Sequence, residues 1–325
     1  MRLFDELSQQ ALGDDYFKEL LVKLELLSAH RFFELPESDL EPKELTDALR
    51  FSDILSRSSD PEAKNKAYKI VSLLSETNWE DSTFLSFAKP ILVRLGNFPA
   101  LKFLEDASSQ QIRSPREVVF ERIIKEVFHA IPNSEHTFTD SQYEIYENLK
   151  KNNHYSFSGP TSIGKSFIIK AFIHHLIEEH RGTDNVALLV PTRALINQAA
   201  NQIKSEFSQY SQYKVLTHPI IPSAFKNEST RFIFIFTPER LISYLSESDN
   251  PKIDYLFVDE AHKIVSEKDT RSPLYYHAVL QAERKSVKLY FASPNIPNPD
   301  IFLKLFEKSS DESLCIKSSP VSQNR

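Results

Sequence analysis

Gly159-Pro160-Thr161-Ser162-Ile163-Gly164-Lys165-Ser166 satisfies the pattern G-x-x-x-x-G-K-[ST] at every position. A loop of this kind leaves a strand, opens a helix and aims a row of backbone N–H groups at phosphate oxygens. Lys165 then offsets the charge of the β- and γ-phosphates, and the Ser166 hydroxyl reaches a magnesium ion. The chain has only five glycines, and two of them stand in this eight-residue loop. The loop predicts a bound nucleoside triphosphate with Mg2+ on an α/β framework.

Short apolar strands are predicted around it at 155–158, 186–190, 214–217, 232–236, 255–258 and 289–292, several of them separated by helical stretches. Such alternation specifies a parallel sheet covered on both faces, with ligands at the carboxyl ends of the strands. Pro191-Thr192-Arg193, Thr237-Pro238-Glu239-Arg240, Asp259-Glu260 and Ser293 each follow one of these strands, as the glycine-rich loop does. All five clusters are therefore expected along one edge of the sheet. Asp259-Glu260-Ala261-His262 places two carboxylates at a strand end: Asp259 for magnesium, Glu260 to orient and activate the attacking water. Taken alone, an Asp-Glu pair also reads as the acidic start of a helix. Downstream of the loop and a strand, the metal-and-water reading prevails.

Residues 1–130 read as helices. Asp60-Pro61 and Ser114-Pro115-Arg116-Glu117 are helix starts, the second with the pattern of a capping box. Further helices are expected near 14–34, 42–57, 81–95 and 98–107. The predicted organisation is a helical N-terminal domain at 1–132, an ATP-binding α/β lobe at 133–308 and a polar tail at 309–325. Residues 1–130 hold 17 Lys+Arg against 23 Asp+Glu, and the rest hold 22 of each, so the whole formal charge of −6 lies in the helical part. Nucleic-acid contact is accordingly expected in the second part. The single cysteine, Cys315, excludes an intrachain disulfide and fits a reducing compartment. No apolar stretch is long enough to span a bilayer, and a cytoplasmic protein is expected.

The order of these motifs resembles the first RecA-like lobe of a superfamily 2 DEAD/DEAH-box helicase, over about residues 138–306. The resemblance implies the following roles. Pro160, Thr161, Ser162 and Ile163 complete the phosphate loop between Gly159 and Gly164. Thr192 and Arg193 in Pro-Thr-Arg-Ala-Leu, and Thr237 and Arg240 in Thr-Pro-Glu-Arg-Leu, contact the sugar-phosphate backbone of a single strand of DNA or RNA without reading sequence. His262 couples the ATP site to that strand. Ser293-Pro294-Asn295 stands where the family has Ser-Ala-Thr, so Ser293 and Asn295 are coupling residues, with a proline between them that has no N–H to donate. Gln142 has two readings: it contacts the adenine edge, or it closes a capping box with Thr139 and returns only to the backbone.

The family closes ATP between two lobes, the second supplying arginines to the γ-phosphate. A second lobe, in cis or in trans, is therefore an expected partner, and the chain reads as a fragment cut near its polar tail. The acidic helical extension resembles helicase subunits of bacterial phage-defence systems such as Hachiman, which implies a nuclease or effector partner. The expected function is an ATP-dependent helicase or translocase. The alternative is a nucleotide-responsive scaffold without productive turnover.

Overall fold

A computed structural model describes residues 2–35, 40–108, 113–131, 134, 136–225 and 229–317. The chain divides into two compact units, Met1–Tyr143 with Lys317–Arg325, and Glu144–Ile316.

The first unit is built from α1 (Arg2–Gly13), α2 (Asp15–Phe32), α3 (Pro42–Ser56), α4 (Pro61–Asn78), α5 (Ser82–Arg94), α6 (Phe98–Ala107) and α7 (Arg116–Phe128). Side-chain caps fix four of the starts: Asp14, Asp60, Asp81 and Asn97 accept from Phe17, Glu62, Phe84 and Ala100 N–H respectively. Each such cap contributes about 1 kcal/mol. Phe84, Leu85, Ile91 and Leu92 of α5 are fully buried against Leu49 and Leu55 of α3 and Ala67 and Ile70 of α4. Two details differ from expectation. Residues 2–13 form a helix outside the expected stretches: Leu3, Phe4, Leu7 and Ala11 share one face of it, although only Ser8 and Ala11 are buried. The Ser114 capping box does not form; Pro115 occupies the N-cap without a side-chain bond.

Helix α8 (Asp140–Lys151) carries the chain into the second unit. There follow β1 (Tyr155–Gly159), α9 (Lys165–Glu179), β2 (Val186–Leu189), α10 (Arg193–Glu206), β3 (Tyr213–Leu216), β4 (Arg231–Phe236), α11 (Pro238–Ser246), β5 (Tyr255–Val258), α12 (Ser272–Arg284), β6 (Lys288–Pro294), α13 (Asp300–Leu305) and β7 (Ser313–Cys315). The seven strands form one sheet in the order β3-β4-β2-β5-β6-β1-β7, and every pair in it is parallel. Phe232, Phe234 and Phe236 alternate along β4 and pack with Leu241 and Tyr244 of α11 on one face. On the other face, Phe172 of α9 meets Phe257 of β5 and Tyr290 of β6. Asn185 joins the starts of three strands: its N–H donates to Asp254, its amide donates to the Lys252 carbonyl, and its side-chain oxygen accepts from Phe232 N–H.

Strand β7 lies inside the segment expected as a polar tail from 309. It pairs with β1 through Ser156↔Ser313 and Ser158↔Cys315. Three half-exposed residues at a sheet edge carry no apolar run by which a sequence could announce them. Residues 318–325 of the expected tail lie outside the described residues.

Candidate functional site

Strand β1 ends at Gly159, a single 3-10 turn follows over Thr161–Ile163, and Gly164 takes the left-handed conformation (φ 75°, ψ 43°) from which α9 departs. A side chain at Gly164 would cost about 1–2 kcal/mol in that region, so the glycine answers a backbone demand. A Cβ on Gly159 would stand 3.2 Å from the buried Ile163 side chain, which shows how closely the loop folds over the strand end. Lys165 is only 6 % exposed, and its ammonium donates to the carbonyls of Gly159 (3.3 Å) and Pro160 (3.2 Å). Its third N–H has no acceptor among the described residues. Burial lowers the lysine's pKa, while the negative charges of Glu260 and Asp259 pull the other way.

Those two carboxylates follow β5. Asp259 N–H donates to the Leu189 carbonyl of β2 (3.0 Å), which extends the sheet by one rung. Glu260 is left-handed (φ 55°, ψ 43°), and its N–H donates to Asp259 Oδ1 (3.0 Å). A non-glycine residue held there stores roughly 1–3 kcal/mol of strain, of a kind concentrated at functional sites. Burial, and then the charge of Glu260, push the Asp259 carboxyl above its usual range. Asp259 and the exposed Ser166 line one pocket between α9 and α10. His262 Nδ1 lies 3.2 Å from Glu260 Oε2 without hydrogen-bond geometry, and burial holds the imidazole below its ordinary pKa.

Segment 293–296 meets the loop from β6. Pro294 stands opposite Gly159 in the parallel register. The donor missing at Pro294 is supplied by its neighbours, since Asn295 N–H reaches the Gly159 carbonyl (3.2 Å) and Ile296 N–H reaches Ser158 Oγ (2.6 Å). Asn295 has φ 35°, and the Ser293 hydroxyl is buried with no hydrogen-bond partner among the described residues.

The expected strand-contacting residues divide. Thr192 caps α10 by accepting from Leu195 N–H, and Thr192 and Arg193 are exposed at the end of β2. Thr237, by contrast, is 4 % exposed, and its hydroxyl bonds Glu239. The guanidinium of Arg240 donates to the Thr217 carbonyl. In this conformation Thr237 offers no side chain to a strand, because the turn into α11 tucks it inward. Gln142 belongs to the first unit, where the capping box is formed: Thr139 N–H donates to Gln142 Oε1 (2.9 Å) and Gln142 N–H to Thr139 Oγ1 (3.3 Å).

One residue was missed. Arg271, at the N-cap of α12, forks onto Glu239 with Nε and Nη2 (3.0 and 2.9 Å) and donates from Nη1 to the Pro191 carbonyl (2.6 Å). It ties together the loops after β2, β4 and β5. With its partners 80 and 32 residues away, no local spacing signals it.

Since all strands run parallel, the five clusters lie along one edge of the sheet, as expected. The family model described as DEAD/DEAH box helicase matches residues 139–299. Anti-bacteriophage protein B of Escherichia coli (strain K12) is 27 % identical over 130 residues, a stretch that spans 40 % of this chain and 16 % of that protein. Among solved structures, the helicase MrfA bound to DNA superimposes with a TM-score of 0.42 at 15 % identity, over 58 % of this chain and 28 % of that one. MrfA alone gives a TM-score of 0.41 at 18 % identity, over 57 % and 31 %. Residues 139–299 thus form a helicase-like domain, matched by the DEAD/DEAH box model.

Proposed function

We propose that this domain binds Mg-ATP at the β1 loop and a single nucleic-acid strand along the same sheet edge, as one lobe of an ATP-dependent helicase or translocase. The observation that carries the reading is the buried, incompletely bonded Lys165 facing the charges of the half-buried Asp259 and the partly exposed Glu260. An ammonium with one N–H to spare suits a phosphate oxygen. A carboxylate whose ionised form is disfavoured by burial and by a like charge suits a cation. One hydroxyl and one carboxylate, Ser166 and Asp259, fit an octahedral ion that keeps waters and substrate oxygens as its other ligands. When bound, the magnesium would offset charge on the phosphates. Glu260 would hold the attacking water and accept its proton, while Lys165 and the loop N–H groups would orient the triphosphate.

Calorimetric titration tests the site. Lys165→Ala should weaken Mg-ATP binding by at least tenfold, in line with the loss of a charge-assisted bond worth roughly 1.5–3 kcal/mol. Unchanged affinity in the variant overturns the assignment.

The Ser293-Pro294-Asn295 spelling favours a second reading, a scaffold that binds ATP without turnover. Steady-state hydrolysis separates the two. As one lobe of a two-lobed motor, the chain should hydrolyse ATP slowly at best, even with single strands added, and Glu260→Gln should abolish that turnover. A chain that binds ATP with no turnover above Glu260→Gln is the scaffold. The likeness to an anti-bacteriophage protein extends the first reading to a phage-defence assembly with a nuclease or effector subunit.

A further inference from the structure

Helix α7 is inside out. Amphipathic helices turn apolar residues to the core and charges to water. Along α7 only Val118 is buried, while Val119, Phe120, Ile123, Ile124, Val127 and Phe128 are 39–69 % exposed. At about 100° per residue these six share one half of the helix circumference. The opposite half carries Glu121, Arg122, Lys125 and Glu126, whose cations are satisfied within the unit itself, while Arg116 and Glu117 open the helix on the exposed side. Arg122 pairs with Glu105 (2.6 Å) and Glu126 (2.7 Å). Lys125 donates to the Val93 and Arg94 carbonyls and to Asp140 (3.0 Å).

We infer that this face is the contact surface of a homodimer, with α7 packed antiparallel against α7 of a second copy about a two-fold axis near Ile123 and Ile124. Three observations select that occupant. The stripe is self-complementary: Val119 and Phe120 lie before its centre and Val127 and Phe128 after it, so antiparallel pairing sets valine and phenylalanine of one copy against those of the other. Phe120, Ile123 and Val127 also follow the alternating three- and four-residue spacing that two helices share when they pack lengthwise. Its extent fits as well: the exposed side chains amount to roughly 600 Å² per copy, so a symmetric pair buries about 1,200 Å², the lower end of specific interfaces. A lipid surface is disfavoured, because the cations that flank the arc, Arg122 and Lys125, are already paired within the unit and residues 1–130 are net acidic.

Light scattering on the purified chain is the first test. At concentrations on the order of tens of micromolar it should give twice the protomer mass of 37.5 kDa. Phe120→Glu with Val127→Glu should return it to one protomer mass with an unchanged far-ultraviolet circular dichroism spectrum, because both positions are exposed. Geometry is tested in a Cys315→Ser background. Ile123→Cys should oxidise to a disulfide-linked dimer, and Val119→Cys should cross-link to Val127→Cys in preference to itself. A single protomer mass across that concentration range overturns the inference, as does a dimer indifferent to the double substitution. So does flotation with anionic vesicles that the double substitution abolishes, which would assign the face to a membrane.

Discussion

The Asp259–Glu260 step concentrates opposing demands on two residues. Asp259 is half-buried beside another carboxylate, and its pKa is raised, so its ionised form opposes folding when no cation is bound. The folded chain then holds the Asp259 proton more tightly than the unfolded chain. Stability accordingly rises as pH falls through the raised folded value, and the penalty is gone below the unfolded value near 4. In chelator, Asp259→Asn should raise the thermal midpoint of the second unit at pH 7.5 by on the order of 2–4 °C, a difference that closes toward pH 4. Asparagine keeps the oxygen that accepts from Glu260 N–H, so the comparison isolates charge. A lower midpoint at pH 7.5 would show that Asp259 stabilises the empty lobe. That Lys165, Ser166, Asp259 and Glu260 come together was legible in the sequence, because each follows an apolar strand run at a fixed short spacing and parallel strands bring those ends to one edge. Arg271 was not, since its partners are reached only through the fold.

At the scale of elements, legibility follows burial pattern. Strands such as β4 and β5 are unbroken apolar runs between turn residues, buried on both faces, and they stand where the sequence puts them. β7 is short and half-exposed, so nothing local marks it. α7 teaches a different limit. Its helical period was readable, but a period states only that an apolar stripe exists, and which side meets the core is decided by Glu105, Asp140 and the carbonyls of α5. Polar junctions are equally silent. Asn185 is 8 % exposed and its side chain bonds both the Lys252 carbonyl and Phe232 N–H (2.8 and 2.9 Å). Asn185→Ala leaves a buried donor at the head of β4 and should cost about 2–3 kcal/mol. Urea unfolding followed by fluorescence measures it, and a loss below about 0.5 kcal/mol would mean that water replaces both bonds.

For the whole molecule, charge sets the character of nucleic-acid binding. Residues 1–130 hold the entire acidic excess and residues 131–325 are formally neutral, so few phosphates can be neutralised on the sheet edge. Binding of single strands should fall with salt along a shallow slope. Arg193→Ala should weaken all sequences alike and reduce that slope by about one. Fluorescence anisotropy across a salt series reads both. A silent Arg193→Ala, with crosslinks mapping to the helical unit, would remove the strand from this edge.

The strand order has a consequence for the history of each molecule. β1 lies between β6 and β7, and its register partners run from Tyr290 to Pro294 on one side and from Ser313 to Cys315 on the other. Its neighbours are therefore synthesised some 130 residues after it. On the ribosome, β1 has neither of its sheet neighbours until β6 emerges, after β2, β4 and β5 are all made. Chains emerge at roughly 5–20 residues per second, so that wait lasts many seconds. The loop after β1 is written early and matures last, and a nascent chain completes the strand end that carries Lys165 only as the sheet closes.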